Sequence, residues 1–353
     1  MRAKMPGRGS ISNPANRYHS TQSNEIDDGW NPGDEPAPAL NTTVSIDNTK
    51  TIINPVHSPD LPFDRSINPY RGCEHGCIYC YARPSHAYLD FSPGLDFESR
   101  LIAKPQAAEL LRKELDKESY QCKPIAMGTN TDPYQPIDRK WQITRQILDV
   151  LSEYKHPVSI VTKASLIERD LDILTEMAGQ NLVLVLISIS SLDRSLTRFM
   201  EPRAAAPQRR LKTIERLRLA GIPVGVLVAP IIPFLNDSEI ERVLKQCQQA
   251  GAYSADYVML RLPLEVETLF QEWLKTHYPL KANRILQCIR ELRCGKLNDS
   301  TFGQRMRGQG AYADLISQRF RLACKQLGLN TKKHDFDCTQ FRPTKQPKQI
   351  ELF

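Results

Sequence analysis

Residues 71–83 read RGCEHGCIYCYAR and place Cys73, Cys77 and Cys80 within eight positions, at C-x3-C-x2-C spacing. A closed tetrahedral zinc site takes four ligands, and an iron–sulfur cube normally takes four cysteines. Two chemistries suit three thiols. Zinc could be completed by His75 or His86, which lie nearby. A [4Fe–4S] cube could instead be held at three irons, leaving the fourth free to bind a small molecule.

The elements around the loop favour the second. The chain of 353 residues is 41% hydrophobic and 25% charged, ordinary for a globular protein. From residue 56 a rhythm sets in. A first strand is expected near Ser66–Pro69, then strands at 124–130, 157–163, 181–190, 222–230 and 256–264. Helical patterns at 104–119, 140–154, 168–180, 207–221 and 237–251 separate them. Alternation of this kind implies parallel strands with helical crossovers, apolar on both faces, in a barrel or in a flat doubly wound sheet, and the choice of a barrel rests on what the strand ends carry. In such barrels functional groups sit at the C-terminal strand ends, where the cysteines would lie. The expected organisation is a mostly disordered or draped segment 1–55, a partial (β/α)6 barrel over 56–264, a helical extension over 265–330 and an irregular tail over 331–353.

No apolar run reaches the ~18 residues of a membrane span. The N-terminal stretch has no apolar segment of the secretory kind, so a cytoplasmic location is expected. There, nine cysteines argue for metal or redox chemistry over disulfides. Cys122 precedes the second strand, and Cys338, in HDFDCTQFRP, would reach the mouth if the tail folds back.

The loop, with an aromatic before its last cysteine, resembles the radical S-adenosylmethionine superfamily. With GTNTDPYQP, TKASLIERD, SIS…EPR and VLVAPI, the chain resembles the spore photoproduct lyase-like branch, the DNA repair photolyases, over roughly residues 40–353. The resemblance implies an enzyme in which Cys73, Cys77 and Cys80 ligate a [4Fe–4S] cluster and S-adenosylmethionine is cleaved reductively to a 5′-deoxyadenosyl radical. It implies that Tyr79 packs beside the cluster, Thr129 meets the amino-acid end of the cofactor, and Lys163 pairs with its carboxylate. Ser188 would meet the ribose or carboxylate, Ala229 would border the adenine, and Arg210 would add a second positive contact. The amphipathic pattern around Arg210 favours a surface position over that contact. The family's hydrogen-donating cysteine at the end of strand two is replaced by Gly128, which puts repair of spore photoproduct in doubt.

Partners follow from charge and termini. Residues 284–353 hold 14 Lys and Arg against 6 Asp and Glu, within a chain of net charge +7. That basic excess suits DNA or another nucleic acid. The segment QIELF, Gln349–Phe353, resembles the peptide that docks on the bacterial DNA sliding clamp. The family also implies a low-potential electron donor, flavodoxin- or ferredoxin-like. The alternative to an enzyme is an iron–sulfur protein that senses redox state or supports a nucleic-acid-binding module.

Overall fold

A computed structural model describes residues 7–18 and 40–343. Six parallel strands stand side by side in chain order: β1 (Arg65–Ile67), β2 (Ile125–Met127), β3 (Val158–Thr162), β4 (Val183–Ser188), β5 (Val224–Ile231) and β6 (Ser254–Met259). The register sets Ser66 beside Ala126, Ala126 beside Ser159, Ile160 beside Val185, Ile187 beside Val226 and Val226 beside Ala255. An antiparallel strand, Ile53–Pro55, pairs with the outer edge of β1. The sheet is therefore an open, partial barrel.

Apolar residues on both faces explain the central strands. VSIVT and VLVLIS bury their alternate residues among crossover helices and fill the interior with the rest. The crossovers carry Ala107–Leu115, Ile143–Glu153, Leu171–Ala178, Pro207–Leu219 and Ile240–Ala250. Each is shorter than its sequence pattern, because outer residues enter tight turns such as Ser165–Asp170 and Asp237–Glu239.

The C-terminal helices divide between two cores. Val266–His277 and Pro279–Leu292 pack with Ile78, Tyr79 and Met200 beside the cysteine loop. Ala311–Gln326 lays Ile316 and Phe320 on the main core. Residues 331–343 run beneath the barrel, where the Arg342 N–H donates to the Tyr154 carbonyl at 3.0 Å and Phe341 meets the rings of Tyr120 and His156. That path corrects one expectation. Cys338 is carried away from the mouth, to within hydrogen-bond reach of Cys122, at the N-terminal strand ends.

Two described stretches of the first 55 residues lie on the barrel. Thr43–Ile46 forms a strand parallel to Arg100–Ala103, which also pairs with Tyr70–Arg71. Residues 7–18 cross the cysteine loop as a strap held by polar contacts, which leave no periodic signature. The segment Gln349–Phe353 lies outside the described residues. Among those described, no helix is long and apolar enough to cross a membrane.

Candidate active site

The cysteine loop leaves Tyr70–Arg71 at the C-terminal end of β1. From behind it is clamped by a fully buried pair, Arg83 and Glu98, 2.5 Å apart. Arg83 also donates to the carbonyls of Cys77 (2.9 Å), Gly76 (3.1 Å), Pro93 (3.1 Å) and Gly94 (2.9 Å). All five guanidinium hydrogens are thus engaged. Glu98 also accepts from the N–H groups of Gly9 (2.9 Å) and Ser10 (2.8 Å) in the strap. A Cβ at Gly9 would lie 1.8 Å from the Gly76 carbonyl oxygen, so only glycine lets the strap approach this closely. From the front, the Ile78 N–H donates to the Met200 carbonyl at 3.0 Å.

Ahead of the loop lies a group of ions, with His75, Glu201 and Arg210 buried and Asp132 and Lys163 half-buried. Lys163, at the end of β3, stands with its ammonium 5.8 Å from the centre of the Tyr79 ring. Burial would lower its pKa, but the charges of Cys77 and Glu201 outweigh that and raise it. Glu201 is buried, accepts from Tyr79 and Arg210, and takes the Ser190 hydroxyl at 2.9 Å. Burial would raise its pKa, yet Arg210 and Lys163 hold it below the ordinary range. Asp132 accepts from Thr162 and from the Lys163 N–H, both at 2.7 Å, and lies 3.3 Å from His75 Nδ1, within ion-pair range but off hydrogen-bond angle. Burial opposes its ionisation, and His75 with these donors overrides it, to a pKa of about 2.

The turn after β2 is organised by Asn68, whose Oδ1 accepts from the Asn130 N–H at 2.9 Å and whose amide meets Thr129 Oγ1 at 3.2 Å. Tyr81 donates to the Thr129 carbonyl, tying the cysteine loop to this turn. Ser188 is buried at the end of β4, its hydroxyl 3.4 Å from the Ala229 carbonyl on β5. Arg210 is not a surface residue: it is 1% exposed and donates to Glu201, to the Ser188 carbonyl (2.9 Å) and to the Ala205 carbonyl (2.7 Å). The structure therefore brings Cys77, Tyr79, Lys163, Ser188 and Arg210 to one end of the strands, with Thr129 and Ala229 on its rim.

Residues 67–247 match the Radical SAM superfamily. The chain belongs to that superfamily. It is an enzyme of the radical S-adenosylmethionine class, whose cofactors are a [4Fe–4S] cluster and S-adenosylmethionine. An uncharacterized protein of Mycobacterium tuberculosis (strain H37Rv) is 38% identical over 244 residues, 68% of this chain and 72% of the relative. One of Methanocaldococcus jannaschii is 26% identical over 230 residues, covering 65% of this chain and 82% of the relative. Among solved structures, spore photoproduct lyase complexed with dinucleoside spore photoproduct superposes with a TM-score of 0.56 over 81% of this chain and 80% of that one, at 16% identity. A double mutant of the same lyase, with bound AdoMet and dinucleoside spore photoproduct, gives a TM-score of 0.56 at 15% identity over the same shares of the two chains. These likenesses are of fold.

The residues present fit the radical S-adenosylmethionine cofactors. Cys73, Cys77 and Cys80 are free thiols on one loop. Among the described residues, no three His, Cys, Asp or Glu side chains converge on a single-ion position. A zinc ion requires such convergence, whereas a cube presents a separate iron to each thiolate. Of the two histidines that could have completed a zinc site, His75 lies beside Asp132 and His86 places Nε2 at 2.9 Å from the Arg100 carbonyl. Burial pushes the Cys77 thiol up to about 12 against the pull of Lys163, a penalty that bound iron would reverse.

Gly128 has φ +90°, and a Cβ there would lie 2.1 Å from the Val161 carbonyl oxygen. This backbone has no room for a hydrogen-donating cysteine. Sequence reasoning missed Asn68, Asp132 and Glu201 as site residues and weighed His75 only as a zinc ligand. The only available signal for two of them was their place inside the quoted GTNTD and EPR motifs.

Proposed function

We propose that Cys73, Cys77 and Cys80 hold the [4Fe–4S] cluster and that the ionic chamber beside them binds S-adenosylmethionine. When bound, the cluster supplies the electron that cleaves S-adenosylmethionine to methionine and a 5′-deoxyadenosyl radical, which takes a hydrogen atom from the substrate. Lys163 pairs with the carboxylate of the cofactor, a charge-assisted bond inside a water-poor chamber. Thr129, positioned by Asn68, faces the amino-acid end. Ser188 meets the ribose or carboxylate, and Ala229 borders the adenine. Arg210 acts through Glu201, which fixes Tyr79 beside the loop and balances Lys163.

The observation that carries this reading is the common end of the sheet shared by the three thiols and Lys163. The substrate class is a nucleic acid or a molecule derived from one, supported by the basic excess over residues 284–353. A low-potential flavodoxin- or ferredoxin-like protein supplies the electron, and Gln349–Phe353 suits docking on the DNA sliding clamp. The reaction takes place in the cytoplasm.

The test is anaerobic reconstitution with iron and sulfide, followed by dithionite and S-adenosylmethionine. The wild-type chain is expected to release 5′-deoxyadenosine and methionine. A triple alanine variant of Cys73, Cys77 and Cys80 should hold no cluster and release neither. Full iron and sulfide content in that variant would sink the assignment.

A further inference from the structure

The open barrel has two free edges, β6 and Ile53–Pro55, which do not pair with each other. Residues 301–307 bridge them. On one side the Met259 N–H donates to the Met306 carbonyl at 2.9 Å, and Arg307 bonds to the Tyr257 carbonyl. On the other, the Gly303 N–H and Arg305 Nε each reach the Asp60 carboxylate at 2.6 Å, and Arg305 also bonds to Ser58.

Inside this bridge stands Arg261, two residues past β6. Its guanidinium lies 5.3 Å from the centre of the Tyr81 ring. Tyr81 follows Cys80 and bonds to Thr129, so Arg261 rests against the junction of the cysteine loop and the β2 turn. Tyr81 is still 45% exposed, which means this wall faces open space.

Arg261 is poorly partnered for its depth. Nη1 reaches only the Met306 sulfur, at 3.6 Å, a weak acceptor, and Nε is buried with no partner. Among the described residues, none offers a carboxylate or carbonyl oxygen hydrogen-bonded to it. The nearby carboxylate, Asp60, is taken by Arg305 and Gly303. Arg83 and Arg210, deeper still, are anchored to glutamates and carbonyls. Other cations crowd Arg261 as well. Arg293 donates to the adjacent Leu260 carbonyl at 2.9 Å, and burial together with the Arg305 charge lowers the Arg261 pKa. Like charges gathered around unused donors are stabilised when an anion arrives. The planar guanidinium fork matches two oxygens of one phosphate group, in a diester or a monoester, and is the side chain suited to phosphate and nucleic-acid recognition.

We propose that Arg261 is a specificity-determining residue that receives a phosphate group of the substrate at the lateral opening of the barrel, beside the cysteine loop. The proposal rests on the radical-enzyme reading and names the group its substrate carries. The phosphate belongs either to a nucleic-acid strand or to a free nucleotide.

The experiment uses the reconstituted full-length holoenzyme and its Arg261→Gln and Arg261→Lys variants. Binding of a fluorescein-labelled single-stranded oligodeoxynucleotide is followed by anisotropy, with unlabelled oligonucleotide and mononucleotides as competitors. Cluster content and equilibrium binding of S-adenosylmethionine are measured alongside. The expected result is at least ~10-fold weaker oligonucleotide binding for Arg261→Gln, partial recovery in Arg261→Lys, and unchanged cluster and cofactor binding. Effective competition by mononucleotides assigns the phosphate to a free nucleotide, and competition by the oligonucleotide alone assigns it to a strand. Equal affinity in wild type and Arg261→Gln, no binding of either probe by the wild type, or a parallel loss of S-adenosylmethionine affinity overturns the proposal. A wild-type protein that binds the probe through Arg261 but cleaves no S-adenosylmethionine would instead overturn the function proposed above.

Discussion

At the mouth of the barrel, Lys163, Glu201, Arg210, Asp132 and His75 keep their charged partners inside the protein. At the floor, Tyr120, Tyr154, His156 and Phe341 meet as rings. His156 is fully buried, with Nε2 at 2.7 Å from the Tyr120 hydroxyl and Nδ1 at 3.0 Å from the Pro157 carbonyl. Those partners suit a neutral ring that donates from Nδ1, and burial lowers its pKa to about 4. The floor thus achieves depth by suppressing charge. At the mouth Glu201 and Arg210 hold charge at the same depth, an arrangement that hydrophobic packing would match for stability but not for binding an ionic ligand. The difference separates a surface built to close from one built to receive.

The comparison breaks most visibly at Glu201. Glu201→Ala strands Arg210 and Lys163 without their carboxylate, and should cost about 3–5 kcal/mol in urea unfolding. A loss under about 1 kcal/mol would mean that the mouth charges are not coupled. The floor answers to acid. The folded pKa of His156 is depressed from 6.5 to about 4, so its contribution is present above pH 6.5 and is lost as the pH falls toward 4. Across that window the wild type should lose about 3 kcal/mol that His156→Gln does not lose, measured by denaturant titrations at each pH. At the mouth again, Lys163→Ala should weaken S-adenosylmethionine binding by about 1.5–3 kcal/mol, roughly ten- to a hundredfold, with the cluster intact. Unchanged affinity in equilibrium titrations would remove Lys163 from the cofactor site. The smallest effect is expected at Cys122→Ala on the floor, which should keep full iron content and shift stability by under about 1 kcal/mol.

The strand–helix alternation was legible because two-faced apolar runs such as VLVLIS have few other uses, and the cysteine spacing was legible because it is local. What the sequence hid depends on distant pairing. Arg210 sits in the polar-looking helix PQRRLKTIERLRL, and its burial is visible only once Glu201 is seen beside it. The tail has no periodic pattern, and its course under the floor is fixed by aromatic partners at Tyr120, Tyr154 and His156. Residues 7–18 look featureless because their anchors, Glu98 and Glu272, lie far along the chain.

That strap sets an order of events in time. The Ser12 hydroxyl takes its acceptor from Glu272, 260 positions later, while Gly9 and Ser10 close over the loop onto Glu98. On a growing chain this second anchor does not exist until the helix Val266–His277 has been made and docked. The loop of Cys73, Cys77 and Cys80 therefore passes through a long interval in which the strap behind it is tethered at one end only. Iron and sulfide supplied in that interval would meet a loop whose backing is not yet fixed. In a reconstitution time course, loading during refolding is expected to outpace loading of a chain refolded beforehand.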